Sequence, residues 1–185
     1  NPTGKRVTTS DYASANYYYV NKSSLPKVYG GFNTSLSWKG FDLSAIFAYS
    51  IGGYIYNRDI TMILHNGSLE GRDWSTEILR RWTPENRYTD VPALSTTSNN
   101  WNSASTRFLQ NNSYMRLKNL TLSYNLPKQL ISKLALSSVQ VFVQGDNLFT
   151  VHRNQGLDPE QGITGITYYR YPAMRTISGG INLSF

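Results

Sequence analysis

The chain ends in the stretch Arg175-Thr-Ile-Ser-Gly-Gly-Ile-Asn-Leu-Ser-Phe185, which decides how the other segments are interpreted. Alternate residues form an apolar series of Ile177, Ile181, Leu183 and Phe185, separated by small polar residues and glycines. A period of two predicts a β-strand with one apolar and one polar face. The apolar face of such a strand meets either the core of a soluble sheet or the lipid around a membrane barrel, and the stretch alone leaves both open.

The amino-acid composition is unusual for a soluble domain. Only 16% of the 185 residues are charged, against the usual quarter or so, and there are 14 tyrosines and 4 tryptophans. Low charge with many aromatic and small polar residues suits a barrel that has lipid-facing girdles and a hydrated interior. The lack of cysteine excludes disulfides and thiol chemistry. The net charge of +7 is scattered rather than clustered, so nucleic-acid binding is not expected.

The same alternation predicts four further strands, at 27–38, 41–50, 114–126 and 139–144. Lys39-Gly40 forms a two-residue turn, so the strands on either side of it pair antiparallel. Arg116 and Lys118 occupy alternate positions of their strand that otherwise carry apolar side chains. Either they lie at its outer end, near lipid phosphates, or a bulge resets the register. The fourth strand is expected to end near Asp146.

The connections between the predicted strands alternate in length. They are short at Lys39-Gly40, long at 57–112, short at 127–138 and long at 147–173. Outer-membrane barrels have short turns on the periplasmic side and long loops on the extracellular side. This pattern predicts two long extracellular loops and a periplasmic carboxy-terminus, with residues 1–26 as a further extracellular loop.

Aromatic residues collect at the short-turn end of these strands. Trp38, Phe41, Tyr124 and Phe185 all fall there, and such rings suit a membrane interface because they tolerate both lipid and water. Five strands do not close a barrel in lipid, since about eight are the fewest known, and an open edge in hydrocarbon leaves backbone amides unpaired. We therefore expect residues 27–185 to be strands and loops of a larger barrel.

Few residues carry recognisable chemistry. Asp158 and Glu160 suggest a glycosidase pair or a calcium site, but two carboxylates in one loop show neither the separation of the first nor the ligand number of the second. A loop-folding turn is the simpler interpretation. His65 and His152 have no matching nucleophile. We expect no catalytic residue, cofactor or metal site.

Three loop residues are candidates for contact with a solute. Trp74 and Trp101 carry rings that stack on sugars, although tryptophans in long loops more often form the small cores that hold such loops together. Asp158 is the third candidate, as a charged residue of the second long loop.

A family resemblance rests on six segments in a fixed order. They are Leu25-Pro-Lys-Val-Tyr-Gly-Gly-Phe-Asn-Thr-Ser-Leu-Ser-Trp38, Arg81-Trp-Thr-Pro-Glu-Asn86, Asp90-Val-Pro92, Ser113-Tyr-Met-Arg-Leu-Lys-Asn-Leu-Thr-Leu-Ser-Tyr124, Gly145-Asp-Asn-Leu-Phe-Thr150 and Gly156-Leu-Asp-Pro-Glu160. Together they resemble the carboxy-terminal end of the SusC/RagA-type TonB-linked outer-membrane proteins of Bacteroidetes. The resemblance covers nearly the whole chain, and the blocks together are more specific than any one of them.

The resemblance implies an all-β antiparallel transmembrane barrel of about 22 strands, of which this chain contributes about the last five. The parent protein carries an amino-terminal plug, pairs with a SusD-like surface lipoprotein, and imports oligosaccharides or peptides across the outer membrane with energy delivered through TonB. The plug and the TonB-contacting segment have no match here. The strand with Ile177, Ile181, Leu183 and Phe185 resembles the signal that the outer-membrane assembly machinery reads.

Two other function classes remain open. A soluble carbohydrate-binding β-sandwich requires a second layer packed against the apolar face of the sheet. An outer-membrane enzyme requires a catalytic constellation, which the sequence does not supply.

Overall fold

The computed structural model describes residues 9, 11–65, 67, 69, 71–95, 102–132, 136–156, 158–160, 162–167 and 169–185. Its strands are β1 (Val28–Trp38), β2 (Phe41–Ile51), β3 (Tyr54–Tyr56), β4 (Leu109–Asn111), β5 (Tyr114–Asn125), β6 (Ser138–His152) and β7 (Thr176–Ser184). Its helices are α1 (Arg58–Ile63) and α2 (Lys128–Ile131), with 3-10 helices at Thr76–Arg80 and Thr106–Phe108. Within these residues, no helix has the length and apolar character needed to cross a membrane.

The chain divides into two compact units. The larger unit contains the main sheet and comprises Ser23–Ile55, Gln110–Gly165 and Tyr169–Phe185. The smaller unit comprises the described residues within Asn1–Lys22, Tyr56–Leu109 and Ile166–Tyr168. Its buried apolar side chains are those of Leu64, Ile78, Val91 and Phe108.

Phe108 organises part of the smaller unit. Its carbonyl accepts a hydrogen bond of 2.8 Å from the backbone N–H of Asn57, and its ring meets the ring of Tyr56 edge-on at 6.2 Å. The buried Asn57 side chain accepts from the N–H of Ile60 at 3.1 Å and so caps α1. A buried amide is therefore used to start a helix that has only six residues.

The main sheet has five antiparallel strands in the order β1-β2-β5-β6-β7, and β3 pairs with β4 in a separate two-stranded sheet. The all-β antiparallel prediction is confirmed, and four of the five predicted strands end within one residue of the observed bounds. The exception is β6, which was expected to end near Asp146 and continues to His152.

One face of this sheet is apolar across all five strands. In register, Leu36 faces Leu43 and Leu43 faces Leu122, while Val141 faces Ile181. No described element covers this face. Leu122 is 42% exposed, Val141 44% and Leu183 52%. The second layer that a soluble sandwich requires is therefore not found among the residues that the structure describes.

A bulge explains the charged residues on the apolar parity of β5. The register of β5 against β2 shifts between Asn119, which pairs with Ile46, and Leu117, which pairs with Phe47, so Lys118 is the extra position. Arg116 consequently pairs with Ala48 of β2 and turns to the polar face. Of the two alternatives that the sequence left open, the bulge is confirmed, and a lipid-side position at the outer end is wrong for Arg116.

The bulge also explains why β6 is longer than predicted. Opposite Lys118, β6 accommodates Asn147 and Leu148, and Asn147 adopts a left-handed conformation with φ of 53°. The alternation of apolar and polar side chains shifts by one residue there. The alternation in the sequence is therefore lost at this point, although the strand continues. Beyond it, Phe149 again shares the apolar face, facing Leu117.

Phe142 is the one aromatic residue that breaks the polar pattern of β6, and its partner explains the exception. It lies opposite Gly180 of β7, and a Cβ atom on Gly180 would stand 2.8 Å from the Cζ atom of Phe142. The ring therefore lies over the glycine backbone, a cross-strand pairing that compensates for a missing side chain.

The turn between β1 and β2 needs a glycine. Lys39 and Gly40 have φ of 47° and 88°, the conformation of a type I′ hairpin turn. A Cβ atom on Gly40 would lie 3.1 Å from the carbonyl oxygen of Asn125 and 3.2 Å from the Cε2 atom of Tyr124. Both the positive φ and the close contacts thus disfavour any residue with a side chain at this position.

We expect Gly40→Val to lower the free energy of unfolding by more than about 1 kcal/mol, because valine disfavours positive φ and meets Tyr124 and Asn125. The measurement is the urea midpoint of tryptophan fluorescence in the intact protein. Gly156→Val is the control, since Gly156 has φ of 69° but no described atom within 4 Å of the added Cβ. An equal loss in both variants contradicts the role given to the contact.

Candidate functional site on the polar face

Hydrogen bonds between side chains tie the polar face of the main sheet together. Asn119 of β5 donates to Asp146 of β6 at 2.8 Å, and Gln144 donates to the same carboxylate at 3.1 Å. Nearer the carboxy-terminus, Asn182 of β7 donates to Gln140 at 3.1 Å. These amide and carboxylate groups form a polar wall whose members hold one another in place.

An ion-pair cluster anchors the second long loop to this wall. The guanidinium of Arg116 binds Asp158 at 2.6 Å and Glu160 at 2.8 Å, and its Nε atom donates to Thr150 at 3.0 Å. Lys118 reaches the other carboxylate oxygen of Glu160 at 2.7 Å. The Arg116 and Asp158 side chains are only 3% and 7% exposed. We name Arg116, Lys118, Asp158 and Glu160 the loop clamp.

The carboxylate of Asp158 is almost fully engaged within the chain. It accepts hydrogen bonds from the backbone N–H of Ala173 at 2.7 Å and of Glu160 at 2.9 Å, in addition to Arg116. Burial raises the pKa of Asp158, but these backbone N–H groups and the guanidinium outweigh it and hold that pKa below its ordinary value. Asp158 is thus ionised at neutral pH and folds the loop, as the turn interpretation expects.

The predicted interface aromatics share one row across three strands. Trp38 pairs with Phe41, and Phe41 pairs with Tyr124 at a ring-centroid distance of 4.5 Å. Phe185 follows β7 at the same end of the sheet and is 91% exposed. The structure brings Trp38, Phe41 and Tyr124 together, while their role at a membrane interface stays a prediction.

The terminal strand presents the apolar series that the sequence indicates. Ile177, Ile181 and Leu183 pair with Gly145, Val141 and Val139 of β6 and are all exposed. Their side chains continue the apolar face of the sheet to its edge. The function of this strand as an assembly signal stays a prediction.

The described candidates for solute contact belong to different units. Trp74 belongs to the smaller unit, where its exposed ring meets the fully buried His65 edge-on at 4.9 Å. Asp158 belongs to the larger unit and is held by Arg116. Trp101 lies outside the described residues. Contact of these residues with a solute stays a prediction.

Sequence reasoning missed the loop clamp as a unit. Arg116 breaks the apolar pattern of its strand and Glu160 lies in an Asp-Pro-Glu segment, so both signals were present in the sequence. Their pairing was not accessible, because 44 residues separate them and the bulge that turns Arg116 to the polar face was only one of two alternatives.

We expect Arg116→Met to destabilise the closed loop by about 3–5 kcal/mol, because Asp158 then remains buried without its counter-charge. The measurement is amide hydrogen exchange of residues 153–175 in the intact protein. Lys118→Met, which removes a partly exposed pair with Glu160, serves as control and costs less than about 1 kcal/mol. Adding Asp158→Asn to Arg116→Met recovers part of the protection, and additive losses contradict the coupling.

Comparison with known proteins finds relatives in sequence and in structure, although no protein-family model matches the chain. TonB-dependent receptor P3 of Formosa agariphila is 34% identical over 166 residues, covering 84% of this chain and 16% of the receptor. TonB-dependent receptor P26 of the same organism is 31% identical over 173 residues, covering 88% and 17%. TonB-dependent receptor SusC of Bacteroides thetaiotaomicron is 29% identical over 170 residues, covering 90% and 16%.

Solved structures of the RagAB peptide importer have the same fold over this region. The importer in its open-open state superimposes with a TM-score of 0.84 and 36% identity, covering 97% of this chain and 19% of that chain. The closed-closed state gives a TM-score of 0.83 and 35% identity, covering 100% and 20%. The chain thus spans at most one fifth of the length of these relatives. By sequence and by fold, it belongs to the SusC/RagA type of TonB-dependent receptors.

Proposed function

We propose that this chain forms part of the barrel wall of a receptor that imports oligosaccharides or peptides across the bacterial outer membrane. The observation that carries the proposal is the likeness to the RagAB peptide importer, at 36% identity over 97% of the chain. The names of the curated relatives are those of receptors and do not state a solute. The choice between glycan and peptide therefore rests with experiment.

In this proposal, the apolar face of the main sheet lies against lipid and the polar face lines a hydrated lumen. The exposure of Leu122, Val141 and Leu183 supports it, since water does not favour so continuous an apolar surface. The outer strands β1 and β7 offer free edges within the described sheet. Further strands pair with them and close a barrel of about 22 strands.

The proposed orientation follows from the two ends of the sheet. The turn at Lys39-Gly40, the α2 connection and the carboxy-terminus lie at the periplasmic end, and the long connections are extracellular, with residues 1–26 among them. Trp38, Phe41 and Tyr124 then lie at the periplasmic interface, where amphipathic rings are favoured. The strand ending at Phe185 acts as the assembly signal.

The proposed partners follow from the same likeness. The remainder of the barrel and a plug complete the receptor, a SusD-like surface lipoprotein covers it, and TonB contacts the plug region to supply energy. Trp74, Trp101 and Asp158 are proposed to face the solute pathway. Oligosaccharide or peptide is the cargo.

Opposite faces of β7 give a direct test of the membrane position. We expect Ile181→Lys to destabilise the intact receptor by about 2–4 kcal/mol, because the lysine enters lipid on the apolar face. Asn182→Lys, one residue further on the polar face, is expected to change stability by less than about 1 kcal/mol. The measurement is the fraction of folded receptor in the outer-membrane fraction, by heat modifiability on gels. Equal loss in both variants argues against lipid at this face.

Uptake in cells tests the function itself. The full-length receptor with its lipoprotein is expressed in a strain that lacks both, and accumulation of labelled peptides and oligosaccharides is measured with and without TonB. Uptake that requires both the receptor and TonB supports the proposal. Uptake that is unchanged when TonB is removed rules it out.

A further inference from the structure

A cavity lies beside the loop clamp on the polar face of the larger unit. Its volume is about 480 Å³, within the range of about 300–1,000 Å³ that small-molecule sites occupy. The β6 side contributes Asn147, Thr150 and His152, and the returning loop contributes Arg170, Pro172 and Arg175. The cavity is thus bounded by a rigid strand on one side and by chain held in place by Asp158 on the other.

The charges around this cavity are not balanced. Asp158 and Glu160 are the nearby carboxylates, and both are bound to Arg116, with Lys118 on Glu160 as well. Arg170 and Arg175 are exposed. In the part of the chain that the structure describes, neither has an ion pair or hydrogen bond. Two arginine residues therefore line the cavity without a carboxylate partner among the described residues.

A buried neutral polar atom beside the cavity lacks a partner among the described residues. Asn147 donates through its Nδ2 atom to the carbonyl of Met174 at 3.2 Å, which leaves the Oδ1 atom buried with no donor among the described residues. A buried amide oxygen without a donor is unfavourable. Solvent does not reach this oxygen, so it is not a ligand contact, and recognition in the cavity rests on its cationic residues.

We infer that this cavity binds the carboxylate of an acidic solute, with Arg170 and Arg175 as its cationic partners. Planar guanidinium groups match carboxylates through paired, charge-assisted hydrogen bonds. A uronate of an oligosaccharide and an acidic residue of a peptide both carry a carboxylate beside a hydroxyl or amide. The inference rests on the proposed function, because it places the site on the polar face that lines the import path.

The test compares solutes that differ only in charge, bound to the full-length receptor in detergent. One pair is a tetrapeptide with two glutamates and its glutamine twin, and the other is trigalacturonate and galactotriose. Binding is measured by calorimetry for the wild type and for the double variant Arg170→Gln, Arg175→Gln. Both arginines are exposed, so their replacement is expected to leave the fold intact. Arg72→Gln, which removes an exposed arginine from the smaller unit, is the matched control.

We expect the acidic member of one pair to bind about tenfold more tightly than its neutral twin, and the pair that responds identifies the solute class. That preference is lost in the double variant and kept in Arg72→Gln. Equal binding within both pairs, no binding of any of the four solutes, or a preference that survives the double variant overturns the inference. TonB-dependent uptake that is indifferent to solute charge leaves the proposed function intact while this inference fails.

Discussion

Contacts between neighbouring strands make the apolar side of the main sheet into one surface. The rings of Phe32 and Phe47 stack at 4.7 Å, and those of Phe41 and Tyr124 meet at 4.5 Å. Because the side chains of a strand alternate strictly, this surface exists only while every strand keeps its register. The polar wall on the opposite side, with Asn119, Asp146 and Gln144, is a consequence of the same register. Both faces therefore depend on one geometrical constraint, the period of two.

At the loop clamp, a bulge in β5 breaks the period of two, and the break brings Arg116 to the carboxylates of the second long loop. Against β2, the extra residue at Lys118 turns Arg116 from the apolar side to the polar side, where it pairs with two carboxylates. A buried ion pair contributes little net stability, because the cost of desolvation offsets much of its attraction. It is favourable only when the two charged groups are in close contact, so it restricts where its partners lie. The clamp thus fixes where the second long loop lies on the sheet more than it strengthens the fold.

The sequence predicted the features that alternate and missed those that interrupt the alternation. The strand bounds and the turn at Lys39-Gly40 follow from local pattern and turn chemistry, and the structure agrees with them. The predicted end of β6 was wrong, because Asn147 and Leu148 shift the alternation of side chains while the hydrogen bonding between β5 and β6 continues. The partner of Arg116 lies in a loop far along the chain, and no local rule connects the two.

Periodicity leaves open whether lipid or protein meets the apolar face, and the lipid-facing position proposed above rests on the likeness to the receptor family. Periodicity alone is equally consistent with a soluble sheet and a barrel wall. Within the candidate site, the carboxylates of the Asp-Pro-Glu segment were visible in the sequence, and their role as a folding turn was the favoured interpretation. Arg170 and Arg175 were not singled out, because single arginines in a polar loop give no signal until the chain brings them to one cavity.

The extra residue at Lys118 also shows how insertions and deletions act on the chain. Loss of one residue from a strand, like the extra residue at Lys118, changes the phase of the side chains beyond it, so these move to the opposite face of the sheet. Gain or loss of several residues in a surface connection leaves every strand in phase and changes only the entropy of a loop. A change of length is therefore tolerated in the connections far better than within a strand.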